Sequence, residues 1–183
     1  QGGIVVWEWH VWDHLIQDYD ATRNNYGLVS DHPELVNVNG WVESANGIMP
    51  FWNHMNSIAY NPELDQIVLS VRGSSELWVI DHGTTTAQAA GHTGGTRGKG
   101  GDLLYRWGNP VNYGRGTAAN QMLFDQHDAQ WIDPDCPGAG NFLIFNNGIG
   151  RNYSTVDEMI PPLLTNGLYS IATGLALLEE EAE

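Results

Sequence analysis

Two histidines and two arginines stand at matched places in this chain, and their chemistry is that of an anion site. His54 opens the stretch HMNSIAY, and His127 opens HDAQWI 73 positions later. Arg72 ends the apolar run QIVLSVR, and Arg151 follows a second such run, just past Asn146-Asn147-Gly148. A guanidinium is a planar fork that matches the oxygens of sulfate, phosphate or carboxylate. A neutral imidazole near pH 7 serves as nucleophile or proton carrier. Converging on one mouth, these groups would bind an anion and act on it. The same histidines would also serve as strand-end residues that hydrogen-bond a neighbouring turn, and residue types alone leave both uses open.

The elements that must position these residues read as short strands. Residues 3–10 (GIVVWEWH), 66–72, 76–81, 102–108 and 141–147 are rich in β-branched and aromatic residues. Residues 56–60 and 127–132 are shorter candidates, and 153–160 and 168–173 weaker ones. Residues 12–19 read as a short helix, 20–50 as a long excursion, and the glycine-rich 82–101 as a loop. Residues 66–73 align with 141–148 at an offset of 75, each ending in a polar pair and a glycine. A repeated unit of four short antiparallel strands is the pattern of a β-propeller blade.

The expected fold is therefore all-β, a partial propeller. One blade spans 51–110 and a second 126–175; 1–19 hold the outer strand of a preceding blade and a short helix; 176–183 form an acidic tail. Histidines at the head of innermost strands would face a central channel. Two blades cannot close a ring of about 4 to 8. The expectation is a fragment completed by further blades in the same protein, or self-association. A two-sheet β-sandwich is the alternative.

Composition narrows the partners. Of 183 residues, 7 are Lys or Arg and 22 Asp or Glu, a net charge of −15. No cluster of cations exists for a phosphate backbone, so nucleic acid is excluded as a partner. No run of about 18 apolar residues exists to span a membrane. The chain starts at Gln1 with no visible signal peptide, which reads as a processed or excised product. The single cysteine, Cys136, has no internal partner for a disulfide.

Five stretches together carry a family resemblance: VVWEWHVWDHL (5–15), NHMNSIAYNPELDQIVLSVRGSSELWVID (53–81), GGDLLYRWGNP (100–110), QHDAQWI (126–132) and NFLIFNNGIGR (141–151). In this order they resemble the bacterial arylsulfotransferases, which are six-bladed propellers that need no nucleotide donor. The resemblance implies transfer of a sulfuryl group from an aryl sulfate to a phenol through a sulfohistidine. It makes His54, His127 and Arg151 the catalytic candidates and Arg72 and His14 candidate substrate contacts. It implies no cofactor and no metal, and a periplasmic or secreted protein. In the family the sulfated histidine follows the arginine, yet no histidine follows Arg151 here. The nucleophile is expected outside this chain, or among the histidines present. A binding module for a sulfated or other anionic ligand, and a purely structural domain, are the rival functions.

Other signals carry less. His10 and His14 are four apart, but a zinc pair would need further ligands and no H-E-x-x-H motif is present. The Asp133–Gly138 region lacks the EF-hand ligand pattern. Residues 94–101 miss the phosphate-loop spacing. Asn152-Tyr153-Ser154 is a glycosylation sequon of use only in a secreting eukaryote. Trp7, Trp9, Trp78, Trp107 and Trp131 fall in strand-like runs and suit core packing better than sugar stacking. Trp12, Trp41 and Trp52 would border a cavity.

Overall fold

A computed structural model of the chain describes residues 2–39 and 52–170. A 3-10 turn, Val11–His14, leads into β1 (Leu15–Ile16), which pairs in parallel with β2 (Val36–Asn37). A meander follows: β3 (Met55–Asn61), β4 (Gln66–Val71), β5 (Glu76–Asp81) and β6 (Tyr105–Trp107), in that order and all antiparallel. A second antiparallel sheet holds β7 (His127–Trp131), β8 (Phe142–Asn146) and β9 (Thr155–Met159). The chain is all-β, with a single four-residue α-helix, α1 (Thr86–Ala89), among the described residues.

β4 and β5 are buried at every position. Successive side chains of a strand point to opposite faces, so both faces must be covered, and the sequence is apolar without alternation. Val68, Leu77 and Val79 turn toward Phe142, Ile144 and Leu123 of the second sheet and its approach. Ile67, Leu69, Trp78 and Ile80 turn the other way, toward Val36 and Leu103. β3 lies beside β7, and Asn56 Nδ2 donates to the carbonyl of Gln126 at 2.8 Å. The segment after β9 returns to the first sheet, where the Tyr169 hydroxyl donates to Gln66 Oε1 at 2.6 Å.

Two buried ion pairs brace the first sheet. Arg106 grips Glu76 through Nε (3.0 Å) and Nη2 (2.6 Å), and Trp78 Nε1 donates to the same carboxylate at 2.9 Å. Arg97 donates to Asp81 at 2.7 Å and to the carbonyl of Leu64. Thr85 starts α1 with a reciprocal capping box to Gln88, so the glycine-rich stretch 82–101 holds one helical turn rather than loop alone.

The structure corrects several expectations. Residues 3–10 form no strand, and Ile4, Val5 and Val6 are exposed. A strand needs an edge to pair with, and none of the described strands pairs with these residues. Only Trp7 and Trp9 of this segment pack against the core, each donating its indole N–H, to Thr84 and Gly101. Of residues 12–19 only 12–14 are helical, within the 3-10 turn, because Leu15 and Ile16 extend to meet Val36 and Asn37. The strand expected over 102–108 shortens to Tyr105–Trp107, since Leu103 N already donates to Glu34. At 168–173 there is one bridge, Leu163 to Tyr169, within the described residues. Residues 40–51, Trp41 among them, and the tail beyond Ser170 lie outside the described residues.

Candidate functional site

The internal repeat becomes a repeated distortion. β3 carries a bulge between Met55 and Ser57, and β7 carries one between His127 and Gln130. Bulges re-aim side chains and gather beside active sites. His54, Asp125 and Asp128 have positive φ (35°, 56° and 56°), an uncommon conformation for residues other than glycine. Both strands are thus deformed at the end where their histidines stand.

A chain of hydrogen bonds joins the two sheets at that end. Arg72 N donates to the carbonyl of His54 at 3.2 Å. Arg72 Nη2 pairs with Asp125 Oδ2 at 2.5 Å. His127 Nδ1 lies 3.1 Å from the carbonyl of Asp125 and 3.2 Å from Asn147 Oδ1. A carbonyl only accepts, so in the neutral ring the hydrogen sits on Nδ1 and Nε2 presents its lone pair. That tautomer suits a base or a nucleophile.

Arg151 is held by its turn and by two rings. Arg151 N donates to Gly148 O at 2.8 Å, and Gly148 N donates to Phe124 O at 3.0 Å. The guanidinium carbon lies 4.8 Å from the Phe124 ring centre and 5.1 Å from that of Tyr153. Gly148 has φ +69°, and a Cβ there would strike the Tyr153 carbonyl. Gly73, its repeat equivalent, would likewise strike the Trp52 carbonyl. Each glycine admits a backbone crossing that closes the end of its strand pair.

Nε and Nη2 of Arg151 are buried without a protein partner. They are the two parallel donors on one edge of the guanidinium, the edge that takes two oxygens of one oxyanion. Asn56 Oδ1, Ser57 Oγ, Gln126 Oε1 and Thr155 Oγ1 are also buried and unpartnered. Buried polar groups are normally satisfied. Here the exceptions concentrate in the segments around His54, His127 and Arg151.

A sequence model of the arylsulfotransferase (ASST) family matches residues 1–169. The chain belongs to the arylsulfotransferase family. No curated relative and no solved structure matches it. Arylsulfotransferase-like function follows at family level, with an aryl sulfate and a phenol as the implied substrates. Among the described residues, no helix is long and apolar enough to cross a membrane.

In this family member the fold gathers four of the five sequence candidates, His54, Arg72, His127 and Arg151, at the adjoining ends of two sheets. His14 stands elsewhere. It is fully buried, with Nδ1 2.8 Å from Asp102 Oδ1 and Nε2 2.9 Å from Ala89 O. Sequence reasoning missed Asp125, Asn147, Phe124 and Tyr153. The Asn146-Asn147 pair before the glycine was a visible signal. Asp125 gave none, because its role depends on a partner 53 residues away.

Proposed function

We propose that the two sheets are neighbouring blades of a propeller and that their shared end carries out two-step sulfuryl transfer. The unpartnered Nε and Nη2 edge of Arg151 carries the reading. It offers two parallel donors, already desolvated, to two sulfuryl oxygens, where they are worth most. Arg72, half committed to Asp125, adds charge to the rim. His54 and His127 supply the imidazoles that meet the phenolic oxygen and carry its proton.

In the first step a histidine nitrogen attacks sulfur. The S–O bond to the aryl group breaks, and the phenolate leaves with a proton from a second imidazole. In the second step the acceptor phenol gives its proton to that imidazole, its oxygen attacks sulfur, and the N–S bond breaks. The histidine returns to its starting state. Export to the periplasm belongs to the same reading.

The test uses the natural gene product with 4-nitrophenyl sulfate as donor and phenol as acceptor. Arg151→Lys keeps the charge but loses the fork, and is expected to lower kcat by about 10²–10³-fold. His127→Ala is expected to lower it by about 10²–10⁴-fold. Donor alone should leave a sulfated histidine detectable by peptide mass mapping. Unchanged turnover in both variants would remove these residues from the site, and turnover without a sulfated histidine would refute the two-step route.

A further inference from the structure

His14 meets His92 and Asp102, which lie in one loop far along the chain, and the proposed sulfuryl transfer uses none of the three. Their donor atoms all lie within 4.8 Å of one another. His14 Nδ1 is 2.8 Å and His92 Nδ1 2.7 Å from the same oxygen, Asp102 Oδ1. His14 is wholly buried and Asp102 nearly so. The sequence offered His10 as the partner of His14; the fold instead leaves His10 exposed beside Glu8 and Asp13.

The decisive atom is His14 Nε2. Its neighbour, at 2.9 Å, is the carbonyl of Ala89, which only accepts. Nε2 therefore carries a hydrogen, and a neutral His14 presents a lone pair at Nδ1. That lone pair faces a carboxylate oxygen at 2.8 Å, in a place closed to water. Two acceptors at this distance need a proton or a metal ion between them. A ring N–H tied to a backbone carbonyl, with the other nitrogen facing inward, is how proteins orient a metal-binding histidine. Donors sharing a tetrahedral cation at about 2.0–2.2 Å stand roughly 3.3–3.6 Å apart, so the two histidines must open slightly from their 2.8 Å and 2.7 Å separations from Asp102 Oδ1 to admit it.

We propose that His14 Nδ1, His92 Nδ1 and Asp102 Oδ1 bind one divalent transition-metal ion of the zinc type. Two imidazoles and a carboxylate suit such a metal and disfavour magnesium or calcium, which take oxygen ligands. Small rotations complete the set, because the His92 side chain is 58% exposed and has solvent on one side to turn into. His92 also edges a cavity of about 270 Å³, shared with Trp12, Asp13, Tyr26 and His32. The cavity is a way in and has room for water at the remaining positions. Trp9 stacks on the His14 ring at 5.5 Å and 4°, and its indole N–H donates to Gly101 O at 2.7 Å. The metal would clamp the N-terminal segment, which lacks a strand ladder, to the approach to β6.

The experiment strips the protein with a chelator and titrates it with Zn²⁺ by calorimetry, then with Co²⁺ by visible absorption. Expected are one Zn²⁺ per chain, a raised Tm, and a Co²⁺ spectrum that Zn²⁺ displaces. His14→Ala removes a buried ring and risks unfolding, so His92→Ala and Asp102→Asn carry the test. His92→Ala should keep the metal-free Tm within a few degrees and weaken Zn²⁺ binding by more than about 100-fold. Failure to bind Zn²⁺, with stability following pH alone, would mean that a proton fills the gap and would overturn the proposal. Equal binding in wild type and His92→Ala would overturn it too. Sulfuryl transfer is not read in this experiment, so its outcome is independent of the activity proposed above.

Discussion

Asp65 shows how a single side chain couples this protein to pH. His82 Nδ1 lies 2.6 Å from its Oδ1, and the Tyr60 hydroxyl donates to the same oxygen at 2.9 Å. The hydrogen bond from His82, more than any other cause, holds the carboxyl below its ordinary 3.8, although partial burial opposes it. A depressed carboxyl pKa stabilises the fold above pH 3.8, and that contribution drains away as pH falls below it. Asp65→Asn should therefore lower stability at neutral pH, and the difference should vanish in stronger acid. The side chain is 44% exposed, so solvent screening keeps the effect below about 1 kcal/mol. Urea titrations of both proteins across the acid range check this, and a difference that does not change with pH would refute it. Residue types and spacing named His54, Arg72, His127 and Arg151 as candidates. They could not name the acceptors that orient them, because Asp125 meets Arg72 and Asn147 meets His127 only in the fold.

At the scale of elements, β4 and β5 were legible because continuous runs of Val, Ile and Leu bounded by turns admit few other readings. The structure places them at Gln66–Val71 and Glu76–Asp81. Residues 3–10 were equally β-rich, yet form no strand, since a ladder depends on an edge that local sequence does not describe. β1 and β2 were invisible for the converse reason, each being two residues long. Beyond their backbone ladder, β5 and β6 are tied by the Glu76–Arg106 pair, whose side chains are 0% and 5% exposed. Arg106→Met leaves a buried carboxylate without its counter-ion and is expected to cost about 3–5 kcal/mol. Changing Glu76→Gln in the same protein should recover much of that. Chemical denaturation of the single and double variants decides it. Equal stability of Arg106→Met and wild type would show that the pair contributes nothing. The Tyr113 phenol, under the Arg106 guanidinium at 4.5 Å, is pushed up to about 12 by burial and by Glu76.

At the scale of the whole molecule, charge and closure matter most. A net charge of −15 repels an anionic donor before the cationic rim can capture it. The kcat/KM for the aryl sulfate should rise as salt shortens the screening length to about 10 Å at 0.1 M, while that for a neutral phenol stays level. Matched salt responses for the two substrates would refute this. Two blades do not close a propeller, so the propeller reading expects a particle heavier than the 20.2 kDa of this sequence, from further blades or further copies. Light scattering on the natural gene product measures it, and a 20.2 kDa monomer would overturn closure. By itself the sequence determined the β class, the central strands, the repeat and the family, because hydrophobic period and motif order are written locally along the chain. Only the tertiary structure decided that His127 carries its hydrogen on Nδ1, that Arg151 keeps a donor edge unpaired, and that His14 meets His92 and Asp102. Each of these depends on which distant groups the packing brings within hydrogen-bond reach, and that is a property of the folded chain.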